Sequence, residues 1–345
     1  MPNMRAVFIH GARDLRLQTI PRPLPGKDSL LLKVEAIGVC GSDLHYYLEG
    51  GIGPAAITSP LILGHEFAAT IAGEGAPARG LAPGILVAVD PAHSCSQCEW
   101  CRRGHPNLCP QVRFAGSPPD LHGALTEYFV APPETLFPVP ASFTPATAAL
   151  LEPLGVAIHT LDLARLRLME TVAVLGAGPI GLLLLQVARL AGAGQVFVVD
   201  PLPYRTARAR LLGADQVTSH HQEILEWTAG RGVDVVLEAT NSPQAPEQAA
   251  EVVRIGGCLV LTGIPAGDRF GFSAALVRRK GLTIKQVRRM GQVYPRAIQM
   301  VQAGRIDLES LVTHTFSLEQ TPGAFELQAA CQDGIIKSII LPHPA

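Results

Sequence analysis

Residues Thr171–Asp200 read TVAVLGAGPIGLLLLQVARLAGAGQVFVVD. No charge occurs from Thr171 to Ala188, and length alone would permit a membrane-spanning helix. The GAGPIG stretch speaks against that, because its glycines and proline would break such a helix early. Strand, tight turn and helix is the reading that fits. Gly176, Gly178 and Gly181, with Pro179 and Ile180 between the last two, then form G-x-G-x-x-G at the strand-to-helix turn. The first glycine permits the turn. The second lets backbone approach a pyrophosphate, and the third lets helix pack on strand. The helix start offers N–H groups and a positive dipole end to phosphates. Asp200 closes the next strand, 19 residues after Gly181. A carboxylate there accepts hydrogen bonds from ribose hydroxyls and repels a 2′-phosphate, which favours NAD over NADP. Arg205 is near enough to soften that preference.

The same rhythm continues outward. The stretches QVFVVD, VDVVLEAT and CLVLTG read as strands, and RTARARLLGA and APEQAAEVVRIGG as helices. Such alternation implies right-handed crossovers and a parallel, doubly wound sheet of the Rossmann type over residues 155–289. The first 150 or so residues differ. They hold strand-like runs such as SLLLKVEAIGVC and ATIAGEG between Pro- and Gly-rich loops. The tail carries one more helix, YPRAIQMVQAGRI, and a last strand, GIIKSIILP. The fold class is therefore α/β, with a β-rich domain beside a dinucleotide domain.

The totals agree with two domains. The chain has 345 residues, 48% hydrophobic and 17% charged, with a formal net charge of -1. That balance argues against a nucleic-acid or anionic-membrane surface. The start, MPNMRAVFIHGARD, lacks the apolar core of a secretory signal. With seven cysteines, four of them clustered, the expectation is metal binding in a reducing cytoplasm rather than a disulfide framework.

Cys95, Cys98, Cys101 and Cys109 stand in HSCSQCEWCRRGHPNLCP, spaced C-x2-C-x2-C-x7-C. One loop of this kind offers four thiolates to a tetrahedral zinc ion and closes every coordination position, so that ion is structural. His93 and His105 flank this lobe, which spans about residues 93–110. Cys258 and Cys331, in apolar contexts, read as core filler, and His220 with His221 as an unassigned polar pair. A second, open site is suggested by Cys40 in GVCGSDLH, His65 and Glu66 in LGHEF, and Glu152 in LLEPLG. Each alone is a weak signal; an isolated cysteine more often fills space, and an isolated histidine is more often structural. Glu152 is unusual, a carboxylate among apolar neighbours.

GVCGSDLH, LGHEF, the four-cysteine lobe, EPLGVAIH and VLGAGPIG occur in one order, and in these strings the chain resembles the medium-chain, zinc-dependent alcohol dehydrogenase superfamily over its whole length. HYYLEGGIG, GSPPDLHGALTEYF and EPLGVAIH resemble its sorbitol (polyol) dehydrogenases in particular. The resemblance implies a GroES-like catalytic domain of residues 1–154 and 290–345, with a zinc site in a cleft against the NAD domain. It implies that Cys40, His65 and Glu66 bind a catalytic zinc, and that Glu152, which holds the zinc-bound water in polyol dehydrogenases and is a direct ligand in some relatives, exchanges at that ion. Zinc would acidify a substrate hydroxyl, and hydride would pass from its carbon to NAD. Ser42 and His45 resemble the relay that carries the proton out.

Tyr46, Glu152 and Arg289 are the substrate-pocket candidates by the same resemblance. Arg289, in IKQVRRMG, fits an arginine position of the polyol enzymes, whereas Met290 replaces their usual tyrosine. The expected reaction is oxidation of a polyol's secondary alcohol to a ketose, by a homodimer or homotetramer. The rivals are an L-threonine 3-dehydrogenase or butanediol-type enzyme of the same superfamily, which differs only in the pocket, and a non-enzymatic NAD-sensing zinc protein.

Overall fold

A computed structural model of the chain describes residues 2–75, 80–118 and 121–343. It divides into two units: one comprises Met1–Glu152, Tyr294–Gln302 and Leu308–Ala345, the other Pro153–Val293 and Ala303–Asp307. Pro119 and Asp120 of the GSPPDLHGALTEYF segment lie outside the described residues.

The second unit is built on six parallel strands: β1 (Thr171–Leu175), β2 (Gln195–Val199), β3 (Gln216–Thr218), β4 (Val233–Glu238), β5 (Val253–Leu261) and β6 (Thr283–Gln286). Their order in the sheet is β3-β2-β1-β4-β5-β6. Val172, Ala173, Val174, Val233, Val236 and Leu237 are all fully buried. A parallel sheet covered by helices on both faces requires such continuous apolar strands. Helix α1 (Pro179–Leu190) takes its proline in the first turn, where the missing N–H costs nothing, and buries Leu182–Leu185 completely. The strand order reverses between β1 and β4, which makes the crevice above their carboxyl ends the ligand position of such a sheet.

One boundary differs from the sequence reading. The APEQAAEVVRIGG helix stops early, as α2 (Ala245–Val252), and Val253 already pairs with Val233 in the sheet. The Lys280 ammonium explains the stop, since it donates to the carbonyls of Ala250, Glu251 and Val253 and satisfies the open helix end. The ladder resumes at Cys258 opposite Val235, after an irregularity in which Gly256 takes φ 66°.

In the first unit, the strand Leu30–Gly38 is central. It pairs antiparallel with Glu66–Gly75, Tyr128–Ala131 and Lys337–Leu341. Val312–Ser317 extends this sheet beyond Lys337–Leu341, and Leu86–Val89 with Leu136–Pro138 extends it on the other side. Val34, Ile37, Phe67, Ala69 and Leu125 pack in its core, with Phe67 and Phe129 edge to face at 5.0 Å. Each large side chain buried this way contributes ~1.5–3 kcal/mol. The result is a stiff floor from whose rim Cys40, His65 and Glu66 project.

Candidate metal and dinucleotide centres

Cys40 follows the Leu30–Gly38 strand in extended conformation and caps the helix Gly41–Glu49. Glu66 opens its own strand and lies opposite Gly38 in the ladder. A side chain at Gly38 would overlap the Glu66 carboxylate, so the glycine leaves the space that carboxylate occupies. Gly64 turns the chain just before His65 at φ 94°, and a Cβ there would press on Ile37 at 3.0 Å. These local choices bring one ligand atom each from Cys40, His65 and Glu66 within 4.8 Å of one another.

Two residues that sequence reasoning passed over organise this cluster. Asp43, fully buried, accepts the Cys40 N–H at 3.0 Å and the Gly64 N–H at 3.4 Å, and its Oδ1 faces His65 Nδ1 at 3.4 Å. A carboxylate against one ring nitrogen orients the other toward a cation. His65 Nε2 is that other nitrogen, and Ser42 Oγ lies 3.4 Å from it. Lys337, 1% exposed, forms an ion pair with Glu66 Oε2 and donates to the Val39 carbonyl at 2.8 Å. Glu66 thus stands as a buried carboxylate beside Cys40 and His65, with Lys337 as its cationic partner.

The electrostatics fit a divalent cation. Burial disfavours a charged His65, yet the Asp43 carboxylate and Cys40 outweigh it and hold the ring's pKa well above the usual value. Burial also works against the Lys337 charge, but Glu66, Cys40 and Asp43 together outweigh it and the pKa is raised. Glu152 sits in the first turn of the Leu151–Ala164 helix. Burial pushes its carboxyl up to about 8, with Glu66 and Asp90 adding to the rise while His65 and Lys337 oppose it. Buried acids and a thiol thus face His65 and Lys337 in one pocket, a donor set that suits a divalent cation. Glu152 does not belong to the three-ligand group, although the charges of His65 and Glu66 act on its carboxyl.

Cys95, Cys98, Cys101 and Cys109 also come together. Their sulfurs are separated by 3.5 Å (Cys98–Cys101 and Cys95–Cys109) and 4.0 Å (Cys95–Cys101). A tetrahedron of thiolates ~2.3 Å from zinc has edges of ~3.8 Å, so the spacing suits zinc and is far too long for a disulfide. Backbone N–H groups of Gln97 and Cys98 draw the Cys95 thiol down to about 6, whereas desolvation and neighbouring sulfurs push Cys101 up to about 11.

On the dinucleotide side, Gly176 takes φ 91°, and a Cβ at Gly181 would collide with the Gly176 carbonyl. Asp200, 3% exposed, accepts the Ala177 N–H at 2.7 Å through Oδ2 and the Leu202 N–H at 2.9 Å through Oδ1. It thus ties the glycine turn to the end of β2. Arg205 Nη1 stands 3.7 Å from Asp200 Oδ2 and borders Gly178.

The other candidates are placed as follows. His45 is buried, with Nδ1 2.8 Å from Glu49. Tyr46 is buried, and its hydroxyl is 3.1 Å from Ser117 Oγ. Arg289 belongs to the second unit, half-buried and at φ 54°, next to the buried Met290. His221 contacts Glu251 at 2.7 Å, away from the metal ligands in sequence and unit. Cys258 and Cys331 are each partly exposed rather than fully enclosed, so core filler describes them poorly.

The chain is similar to known proteins over nearly its whole length. The family described as "Alcohol dehydrogenase GroES-like domain" matches residues 26–141, and "Zinc-binding dehydrogenase" matches residues 179–303. The sorbitol dehydrogenase of Bacillus subtilis (strain 168) is 36% identical over 346 residues, covering 99% of this chain and 98% of that protein. An Escherichia coli oxidoreductase of unknown specificity superposes with TM-score 0.91 at 32% identity, covering 99% of each chain. A 2R,3R-butanediol dehydrogenase from Bacillus subtilis superposes with TM-score 0.86 at 28% identity, covering 99% of this chain and 100% of that one.

Proposed function

Since the chain belongs to the zinc-dependent medium-chain alcohol dehydrogenase superfamily, and is a zinc- and NAD-dependent oxidoreductase of its sorbitol dehydrogenase-like branch, we propose how its own residues divide the work. The substrate in this reading is a polyol whose secondary alcohol becomes a ketone. Zinc, when bound, supplies a Lewis acid that acidifies the substrate hydroxyl. Cys40, His65 and Glu66 hold that ion, and the single observation that carries the assignment is their convergence within 4.8 Å.

Asp43 keeps the His65 ring turned so that Nε2 faces the ion. Lys337 balances Glu66 and keeps its carboxylate in place. Glu152 would hold the water or substrate hydroxyl next to the ion, and burial raises the pKa of its carboxyl. Ser42 Oγ takes the proton released from the substrate. His45 passes it on toward Glu49, which is partly exposed. Cys95, Cys98, Cys101 and Cys109 hold a structural zinc. Gly176, Gly178, Pro179, Ile180 and Gly181 receive the pyrophosphate, and Asp200 the adenosine ribose, with Arg205 beside it. Tyr46 and Arg289 are each candidates for substrate contact in this reading.

The four-thiolate lobe suits a reducing cytoplasm. Among the described residues, no helix is long and apolar enough to cross a membrane. The edge strand β6 is the element through which two copies would extend a sheet, giving a homodimer or homotetramer.

Met290 favours testing a second reading, an L-threonine or butanediol dehydrogenase, because it removes a hydroxyl donor expected in a sorbitol pocket. Absorbance at 340 nm with NAD and sorbitol, xylitol, ribitol, galactitol, L-threonine and 2,3-butanediol separates them. NADH formed from a polyol supports the proposal. Strong turnover of threonine or butanediol with no polyol reacting refutes it.

A further inference from the structure

Glu238 has no part in the assignments above, yet it is 2% exposed at the carboxyl end of β4, beside the point where the strand order reverses. Its Oε1 accepts the Thr240 N–H at 2.6 Å and the Thr240 hydroxyl at 2.7 Å, and its Oε2 accepts the Gly263 N–H at 3.2 Å. Its backbone carbonyl accepts the Thr262 N–H at 2.8 Å. One side chain thus fastens the loop after β4 to the loop after β5.

The neighbouring glycines are fitted to this arrangement. A Cβ at Gly263 would overlap the Thr240 carbonyl and come within 2.9 Å of Glu238 Oε1. A Cβ at Gly176 would come within 2.7 Å of the Ala239 carbonyl. The phosphate turn and both loops therefore rest on one another around a single carboxylate. All three donors call for its ionised form, while burial raises its pKa. An anion kept in so enclosed a place, at a cost in desolvation, needs a reason.

The dinucleotide's direction supplies one. Asp200 fixes the adenosine ribose at the end of β2, and the pyrophosphate lies over α1. The nicotinamide half must then run the other way, across the ends of β4 and β5. Its ring is cationic when oxidised and neutral when reduced. We propose that Glu238 is a positioning residue that locks the two loops beneath the nicotinamide half and, as a buried anion there, favours NAD+ over NADH.

This inference rests on the dinucleotide site proposed above. The test measures dissociation constants for NAD+ and NADH separately, by fluorescence titration, in wild type, E238Q and E238D. E238Q removes the charge at constant size, so the ratio Kd(NAD+)/Kd(NADH) should rise about fivefold. E238D keeps the charge and withdraws it from the loops. Both constants should rise in that variant, with their ratio within about twofold of wild type. Arg288 and Arg289 are unchanged throughout, so their charges cancel in the comparison. An unchanged ratio in E238Q overturns the electrostatic role, and a purely structural residue would give that result by weakening both forms equally. If E238Q does not fold, unchanged constants in E238D overturn the positioning role. Wild-type protein that binds neither form would instead refute the dinucleotide site itself.

Discussion

Replacing Lys337 by methionine isolates the charge balance of the metal pocket. Methionine keeps most of the side-chain length while removing the ammonium, and with it both the ion pair to Glu66 and the hydrogen bond to Val39. Glu66 is 1% exposed, so its carboxylate is left buried and uncompensated. Breaking a buried pair from one side costs ~3–5 kcal/mol. At ~2–4 °C per kcal/mol, metal-free K337M should melt ~6–20 °C below metal-free wild type. A zinc ion restores a cationic partner to Glu66, so part of that loss returns on loading. Whatever returns appears as tighter binding, tenfold for each ~1.4 kcal/mol. Differential scanning calorimetry with and without zinc, together with chelator competition, measures both sides of this linkage. Zinc in the four-cysteine lobe contributes equally to both proteins. Adding E66Q to K337M should recover most of the metal-free stability, because the orphaned charge is then gone. Equal destabilisation with and without zinc, or weaker zinc binding in K337M, would refute the reasoning.

Three further predictions follow from the same geometry. For Glu152, a folded-state pKa of about 8 lies above the usual carboxylate range. Its contribution in metal-free protein is present in full at acid pH and is lost as pH rises toward about 8. E152Q should flatten that slope and release about one proton fewer on zinc binding at pH 7, read by calorimetry in two buffers of different ionisation enthalpy; an unchanged proton count contradicts the assignment. G181A drives a methyl group into the Gly176 carbonyl and should weaken NADH binding by ~1–3 kcal/mol, about 5- to 150-fold in a fluorescence titration. Unaltered affinity would mean that the cofactor does not use this turn. C109S removes a fully buried sulfur of the lobe, and metal analysis should fall from two zinc ions per chain to one with a lower melting temperature. Two retained ions would refute a four-cysteine site.

The parts of this protein that were legible in its sequence are those written locally. The glycine turn between β1 and α1 can be read from Gly176, Gly178 and Gly181, because phosphate binding and helix packing constrain neighbouring residues. The lobe can be read from Cys95 to Cys109, since its ligands all lie on one loop. The end of the Ala245–Val252 helix cannot, because Lys280 closes it from a distant helix. The open site is intermediate. Cys40, His65 and Glu66 are each ambiguous alone and stand out only within the strings that resemble other dehydrogenases. Asp43 and Lys337 were missed, although both left a trace. Asp43 is an acid at the third position of a helix that starts behind Cys40, a place where a side chain reaches back to the cap. Lys337 is a lone cation in the otherwise apolar strand GIIKSIILP, and a buried lysine needs a partner. That its partner would be Glu66 depends on a ladder joining residues almost a whole chain apart.

Polyol oxidation should depend on the ion held by Cys40, His65 and Glu66, with the ion of the four-cysteine lobe taking no part in turnover. Zinc content and NADH formation measured together on C40A test it most directly. C40A should carry one zinc ion per chain, stay folded, still bind NADH, and show no detectable turnover of any polyol that wild type oxidises. Two zinc ions, or activity equal to wild type, would contradict it.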